Sequence, residues 1–170
     1  PPITLEKLLN HPTEFCSKVK KELRPLEFFS DYLKSGYYPF SFEKRKTYKN
    51  IIENVINYTI DIELTKYRNV SVENTRKIKA FLQVVSGILP YQVDIAKLSK
   101  SISLDRVTLL KYMRYLAEAK LTRNIYTKQD TITDLQKPDK LMLDNPNQIY
   151  SLCSKEPETG TIRECFFCNQ

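Results

Sequence analysis

Apolar residues recur every three or four positions along most of the chain, and two short runs alternate instead. The first forty residues read as short helices punctuated by proline. Thr4 caps a turn through ITLEKLL, Pro12-Thr13 opens EFCSKVKKEL, and Pro25 starts RPLEFFSDYLKSG. In that third segment Leu26, Phe29 and Leu33 share a face and Gly36 supplies the stop. Tyr38 precedes Pro39 and is pushed to extended geometry. A long helix is predicted from about Arg45 to Leu64, with Ile51, Ile52, Val55, Ile56 and Tyr58/Thr59 as its apolar stripe.

From Ser71 the pattern sharpens. Ser71 is a good N-cap for VENTRKIKAFLQVVSGI, where Ile78, Phe81, Leu82 and Val85 face inward and Gly87 ends the helix. A short helix from about Val93 to Ser101 puts Ile95, Leu98 and Ile102 on one side. Ser103 then caps LDRVTLLKYMRYLAEAKL, with Leu109, Met113, Leu116 and Ala117 inward. TRNIYTK and DKLMLD alternate like strands around the turn-rich QDTITDLQKP. Three helices followed by a two-stranded ribbon is the layout of a winged helix-turn-helix. Beyond Asp144, Asn145 can cap and Pro146 can start NPNQIYSL. SKEPETG reads as a polar loop, and Thr161-Ile162-Arg163-Glu164 matches a capping box that opens a last helix, RECFFCNQ.

Composition narrows what this mainly α chain can do. Of its 170 residues 41% are hydrophobic and 28% charged, the balance of a globular chain, and no apolar run approaches the roughly 20 residues of a membrane helix. The reading is therefore cytoplasmic, with no membrane partner. Three glycines exclude a phosphate loop and a dinucleotide turn, and a single histidine, His11, excludes triads and histidine-rich zinc sites. No catalytic, cofactor-binding or metal-binding residue is assigned. The missing initiator Met and the aromatic C-terminal segment predict a piece of a longer protein.

The charge is concentrated. Between Ile95 and Lys128 stand eight basic residues against Asp105 and Glu118, which gives +6 of the chain's formal +7. A DNA-reading third helix would present its N-terminal residues Arg106, Thr108, Lys111 and Tyr112 to the major groove, with Arg114 a further DNA-binding candidate, while Lys97, Lys100 and the wing residue Lys128 neutralise phosphates. The competing reading is a solvated face on a protein-interaction or lid module. Tyr112 and Tyr115 likewise read as the wet edge of a core sooner than as a stacking platform. Four cysteines, Cys16, Cys153, Cys165 and Cys168, include one C-x-x-C pair. Zinc sites usually draw on two such pairs, and with Thr161 as cap Cys165 lies beyond the free amides that would lower its pKa, so buried inert thiols are expected.

Several stretches carry a family likeness: FFSDYLKSGYYPF at Phe28 to Phe40, SLDRVTLLKYMRYLAEAKL at Ser103 to Leu121, KPDKLMLDNPNQIYSL at Lys137 to Leu152, and GTIRECFFCNQ at Gly160 to Gln170. Together they resemble bacterial and archaeal AAA+-type ATPases in which a P-loop domain is followed by a helical lid, a winged-helix segment and a restriction-endonuclease-like domain. One departure is Cys165, where that pattern usually has threonine or a similar residue. The resemblance implies a helical lid-like segment over residues 1–70, a winged helix-turn-helix over 71–144, and the start of a C-terminal domain over 145–170. It implies an upstream ATPase domain and a downstream nuclease-like domain as partners in the same chain, with ATP and Mg²⁺ held outside this segment. The expected function is a non-catalytic lid and winged-helix piece that couples nucleotide state to a partner or DNA; the alternative is a DNA-binding module using residues 103–121.

Overall fold

Threonine and proline set the first turns. The Thr4 hydroxyl accepts the Lys7 amide at 3.4 Å and opens α1 (Leu5–Asn10), and Pro12 stands at the first position of α2 (Pro12–Glu22). The computed structural model describes residues 4–43, 45–87, 93–127 and 137–170. Its contacts divide the chain between Tyr32 and Leu33 into two compact units, and α3 (Pro25–Ser35) spans the division. In the first unit α1 touches α2, no residue of α2 is fully buried, and Leu9, Leu26 and Phe28 are exposed. The face expected from Leu26, Phe29 and Leu33 thus loses Leu26, which is 85% exposed.

In the second unit Tyr48, Ile52, Ile56, Ile60 and Leu64 are all buried and stand four residues apart. A spacing of four advances the side-chain direction of an α-helix by about 40° per step, so five such residues would spiral off one face. A wide π turn winds them back: α4 (Tyr48–Tyr58) passes through π-helical Thr59–Leu64 into α5 (Thr65–Arg68). The expected stripe is corrected accordingly. Val55 and Tyr58 are more than half exposed, while Tyr48 and Ile60 turn inward.

α6 (Val72–Gly87) buries Ile78, Phe81, Leu82 and Val85, and α7 (Ile95–Ile102) buries Ile95, Leu98 and Ile102, as their spacing predicts. α8 (Arg106–Glu118) buries Leu109, Leu110, Met113 and Leu116. Two strands, β1 (Thr122–Ile125) and β2 (Lys140–Leu143), pair antiparallel with Thr122 opposite Leu143 and Ile125 opposite Lys140. The alternation read in β2 does not produce alternate burial: Leu141, Met142 and Leu143 are all buried, because α6 and α9 (Pro146–Leu152) both pack on this strand. α10 (Thr159–Asn169) closes the unit. Its N-cap is Glu158, so the capping box expected at Thr161 is not formed; Thr161 and Ile162 are buried inside the first turn, and Glu164 pairs with Lys140 instead.

Two stretches far apart in sequence meet in a buried polar junction. Asn147 is fully buried; its Oδ1 accepts the Tyr37 amide at 2.8 Å and the Tyr48 hydroxyl, and its Nδ2 donates to the Leu33 carbonyl at 2.6 Å. The Tyr38 hydroxyl accepts from Asn145 Nδ2 at 2.9 Å and from Gln148 Nε2 at 3.3 Å. Phe40 lies 5.5 Å from the Tyr38 ring and 5.2 Å from the Tyr48 ring, centroid to centroid. The YYPF segment is thereby fastened to the start of α9. Asn145 caps that helix as expected, its Oδ1 accepting the Gln148 amide at 3.2 Å.

α7 and α8 both end in the left-handed region without glycine. Ser103 has φ 51° and Lys120 has φ 57°. At each end the next amide reaches back five residues, Leu104 to the Ser99 carbonyl at 3.1 Å and Leu121 to the Leu116 carbonyl at 2.9 Å. An L-residue pays for this geometry. Lys120→Gly is therefore expected to raise stability by about 1 kcal/mol, read as a higher urea midpoint at unchanged slope.

Candidate nucleic-acid interface

The α7–α8 pair is built from two aspartate caps and a pinned turn. Asp94 Oδ1 accepts the Lys97 amide at 3.0 Å and Asp105 Oδ1 accepts the Thr108 amide at 2.9 Å. The Lys97 amide, helped by that of Ala96 and by nearby lysine charge, holds the Asp94 carboxyl below the usual aspartate range. The hydroxyl and then the amide of Thr108 do the same for Asp105. Between the caps the Ser99 hydroxyl donates to the Leu104 carbonyl. Ser103 ends α7 and Asp105 starts α8, which corrects the expectation that Ser103 is the cap.

The predicted contact residues separate into three groups. Lys97, Lys100 and Arg106 are exposed and make no ion pair among the described residues. Lys111 is exposed with its Nζ 5.6 Å from the Tyr115 ring centroid, and Arg114 is exposed with its Nε 3.1 Å from Glu118 Oε1. Thr108 is half-buried and serves the Asp105 cap. Tyr112 faces inward, which fits its reading as part of the core's edge and not its place at the groove: it is 7% exposed and its hydroxyl accepts from Asn74 on α6 at 2.9 Å. Lys128 lies outside the described residues. Arg123, counted with the basic cluster, pairs with the nearly buried Asp144 at 3.1 Å and is spent on the fold.

Two participants were not legible in the sequence as site residues. Arg68, at the end of α5, donates to Glu118, and its Cζ lies 5.0 Å from the Tyr115 ring centroid. Glu118 entered the sequence reading only as an opposing charge, yet it accepts from both Arg68 and Arg114. The Arg114 link stands at helical i,i+4 spacing and could have been anticipated. The Arg68 link spans fifty residues and could not.

The remaining cavities and thiols offer less. A polar cleft of about 350 Å³ is lined by α4, α6 and the end of α9, but its lysines are paired, Lys79 with Asp61 at 2.6 Å and Lys49 with Glu53 at 3.9 Å. Cys165 is fully buried, its thiol donates to the Leu143 carbonyl at 3.3 Å, and burial, with the Asp144 charge beside it, pushes its pKa up to about 12. Cys16 is exposed, which corrects the expectation that the thiols are buried. Among the described residues no three His, Cys, Asp or Glu side chains gather as a metal site would require, and no helix is long and apolar enough to cross a membrane. Brief native alkylation followed by mass spectrometry is expected to modify Cys16 and to leave Cys165 unmodified until denaturant is added.

Residues 26–145 match the model of a family described as "Domain of unknown function (DUF8612)". The chain belongs to this family. The DUF8612 segment takes in the YYPF block, the π turn, Arg68, both aspartate caps, all of α8 and both strands, and it ends on Asn145. No curated protein and no solved structure matches the chain.

Proposed function

We propose that α6, α7, α8 and the β1–β2 pair act as a winged helix-turn-helix that engages duplex DNA through the N-terminal half of α8. The observation that carries this reading is the charge left over after internal pairing. Lys97, Lys100 and Arg106 have no ion pair among the described residues, Lys111 is exposed beside them in sequence, and the acids nearest to them, Asp94 and Asp105, are engaged as helix caps. Leu109, Met113 and Leu116 hold the opposite face of α8 in the core, so the helix has one outward surface. Exposed cations that neutralise phosphates release counterions and make affinity fall with salt. Fluorescence anisotropy on duplex DNA is thus expected to give a steep salt dependence. Arg106→Ala and Lys111→Ala should each weaken binding and each lower the salt slope by about 1. Salt-independent binding, or binding that ignores both substitutions, would refute this reading.

A second reading is favoured by the uncovered apolar side chains of the first helices, Leu9, Leu26 and Phe28, and by the four sequence blocks that resemble ATPase lid and winged-helix segments. In it the helices before α6 form a lid over a P-loop domain elsewhere in the same protein. That domain would hold ATP and Mg²⁺, and the chain would pass its nucleotide state to DNA or to a restriction-endonuclease-like domain. Hydrogen exchange in the full-length protein tests it: nucleotide should change protection in residues 25–64, and unchanged protection there and in residues 72–121 would remove it.

A further inference from the structure

Glu118 stands in the last turn of α8, the end of a helix where the macrodipole disfavours a carboxylate. Two guanidinium groups compensate. Arg68 reaches it from the end of α5, and Arg114 from one turn earlier at 3.1 Å. Lys111 and Arg68 both lie over the ring of Tyr115, at 5.6 and 5.0 Å from its centroid. Arg68 and Lys111 therefore share one half-exposed aromatic ring, Arg68 and Arg114 share one carboxylate, and the four side chains Arg68, Lys111, Arg114 and Glu118 carry a summed charge of +2. All of this is reachable from solvent: the Arg68, Arg114 and Glu118 side chains are 44%, 50% and 39% exposed.

We infer that Arg68, Lys111 and Arg114 form a second phosphate-binding position for duplex DNA, and that the Glu118 carboxylate occupies it in the free protein as an internal competitor. The inference rests on the duplex-binding reading above and adds its regulation. A guanidinium fork that fits a carboxylate fits a phosphate equally well. Exposed ion pairs are weak, so exchange of one anion for another costs little. A duplex phosphate also brings counterion release, which Glu118 cannot supply, so an extended polyanion displaces the carboxylate where a single small anion does not. Lys111 belongs to both positions and makes them continuous along α8. Glu118 thereby sets a threshold that favours a polyanion over isolated anions, and it ties that threshold to α5 through Arg68.

The test compares duplex affinity across a salt series for the wild type, Glu118→Gln, Glu73→Gln, and Glu118→Gln combined with Arg114→Ala or with Arg68→Ala. Glu73 is an exposed acid on α6 paired with Lys77, and its substitution removes the same charge elsewhere. Glu118→Gln is expected to bind about tenfold tighter than wild type, the size of one charge-assisted contact, with a smaller gain for Glu73→Gln. Either arginine substitution should cancel the Glu118→Gln gain. A gain no larger than that of Glu73→Gln, or one that survives both arginine substitutions, overturns the competitor and leaves the duplex-binding reading standing. Absence of duplex binding in wild type and Glu118→Gln alike overturns both.

Discussion

Asn147→Leu is expected to cost about 3–4 kcal/mol, because it strands three groups and an unmet buried donor or acceptor costs about 1–3 kcal/mol each. The groups are the Tyr37 amide, the Tyr48 hydroxyl and the Leu33 carbonyl. Leucine matches asparagine in length but offers no polar atom, so the loss is of hydrogen bonds and not of volume. Tyr48→Phe leaves Asn147 with the Tyr37 amide but takes the acceptor of the Tyr38 amide at 3.3 Å, and it should cost about 1–2 kcal/mol. Urea titration followed by circular dichroism measures both. Proteolysis should separate local from global damage: in Asn147→Leu the first new cleavage is expected in residues 33–43, while α6 to α8 stay protected. Equal stability of the two variants would mean that the junction gains nothing from Asn147 beyond its contact with Tyr48.

Phe81→Ala should cost about 3–5 kcal/mol, the range for removing a buried phenyl group, and lower Tm by on the order of 10 °C. Phe81 is 2% exposed near the middle of α6, and that helix touches α7, α9, β2 and the π turn. The cavity therefore opens in a helix that four elements hold in place, which limits how far it can shift to fill the gap. Phe81→Leu retains much of the volume and should lose clearly less. Differential scanning calorimetry compares the two; similar losses would show that the surrounding helices collapse onto the gap.

Legibility followed sequence distance. The inward residues of α6 and α7, the extended Tyr38 before Pro39 and the Asn145 cap were readable because each depends on a few neighbouring residues. Ser103 reads in the sequence as the cap of α8, but it takes the left-handed turn that ends α7, and Asp105, two residues on, is the cap. Tyr112 lies at the margin of its helix's apolar arc, where periodicity does not settle a side; Asn74 on α6 settles it. The polar run Asn145 to Gln148 showed its cap but not its distant partners, Tyr37, Tyr38 and Tyr48. The candidate site divided the same way. Exposed lysines and arginines could be counted in advance, whereas the loss of Arg123 to Asp144 and the arrival of Arg68 at Glu118 depend on tertiary folding.

The π turn has a consequence for length variation. Residues 59–64 accommodate one residue more than α-helical hydrogen bonding would between the same flanks. The surplus is absorbed where it arises, so α4 and α5 keep their azimuth and Arg68 still arrives at Glu118. A DUF8612 chain one residue shorter there would revert to plain α-helix and keep the same alignment. The stretch is a length buffer: elastic in sequence, constant in the direction in which it presents its last arginine.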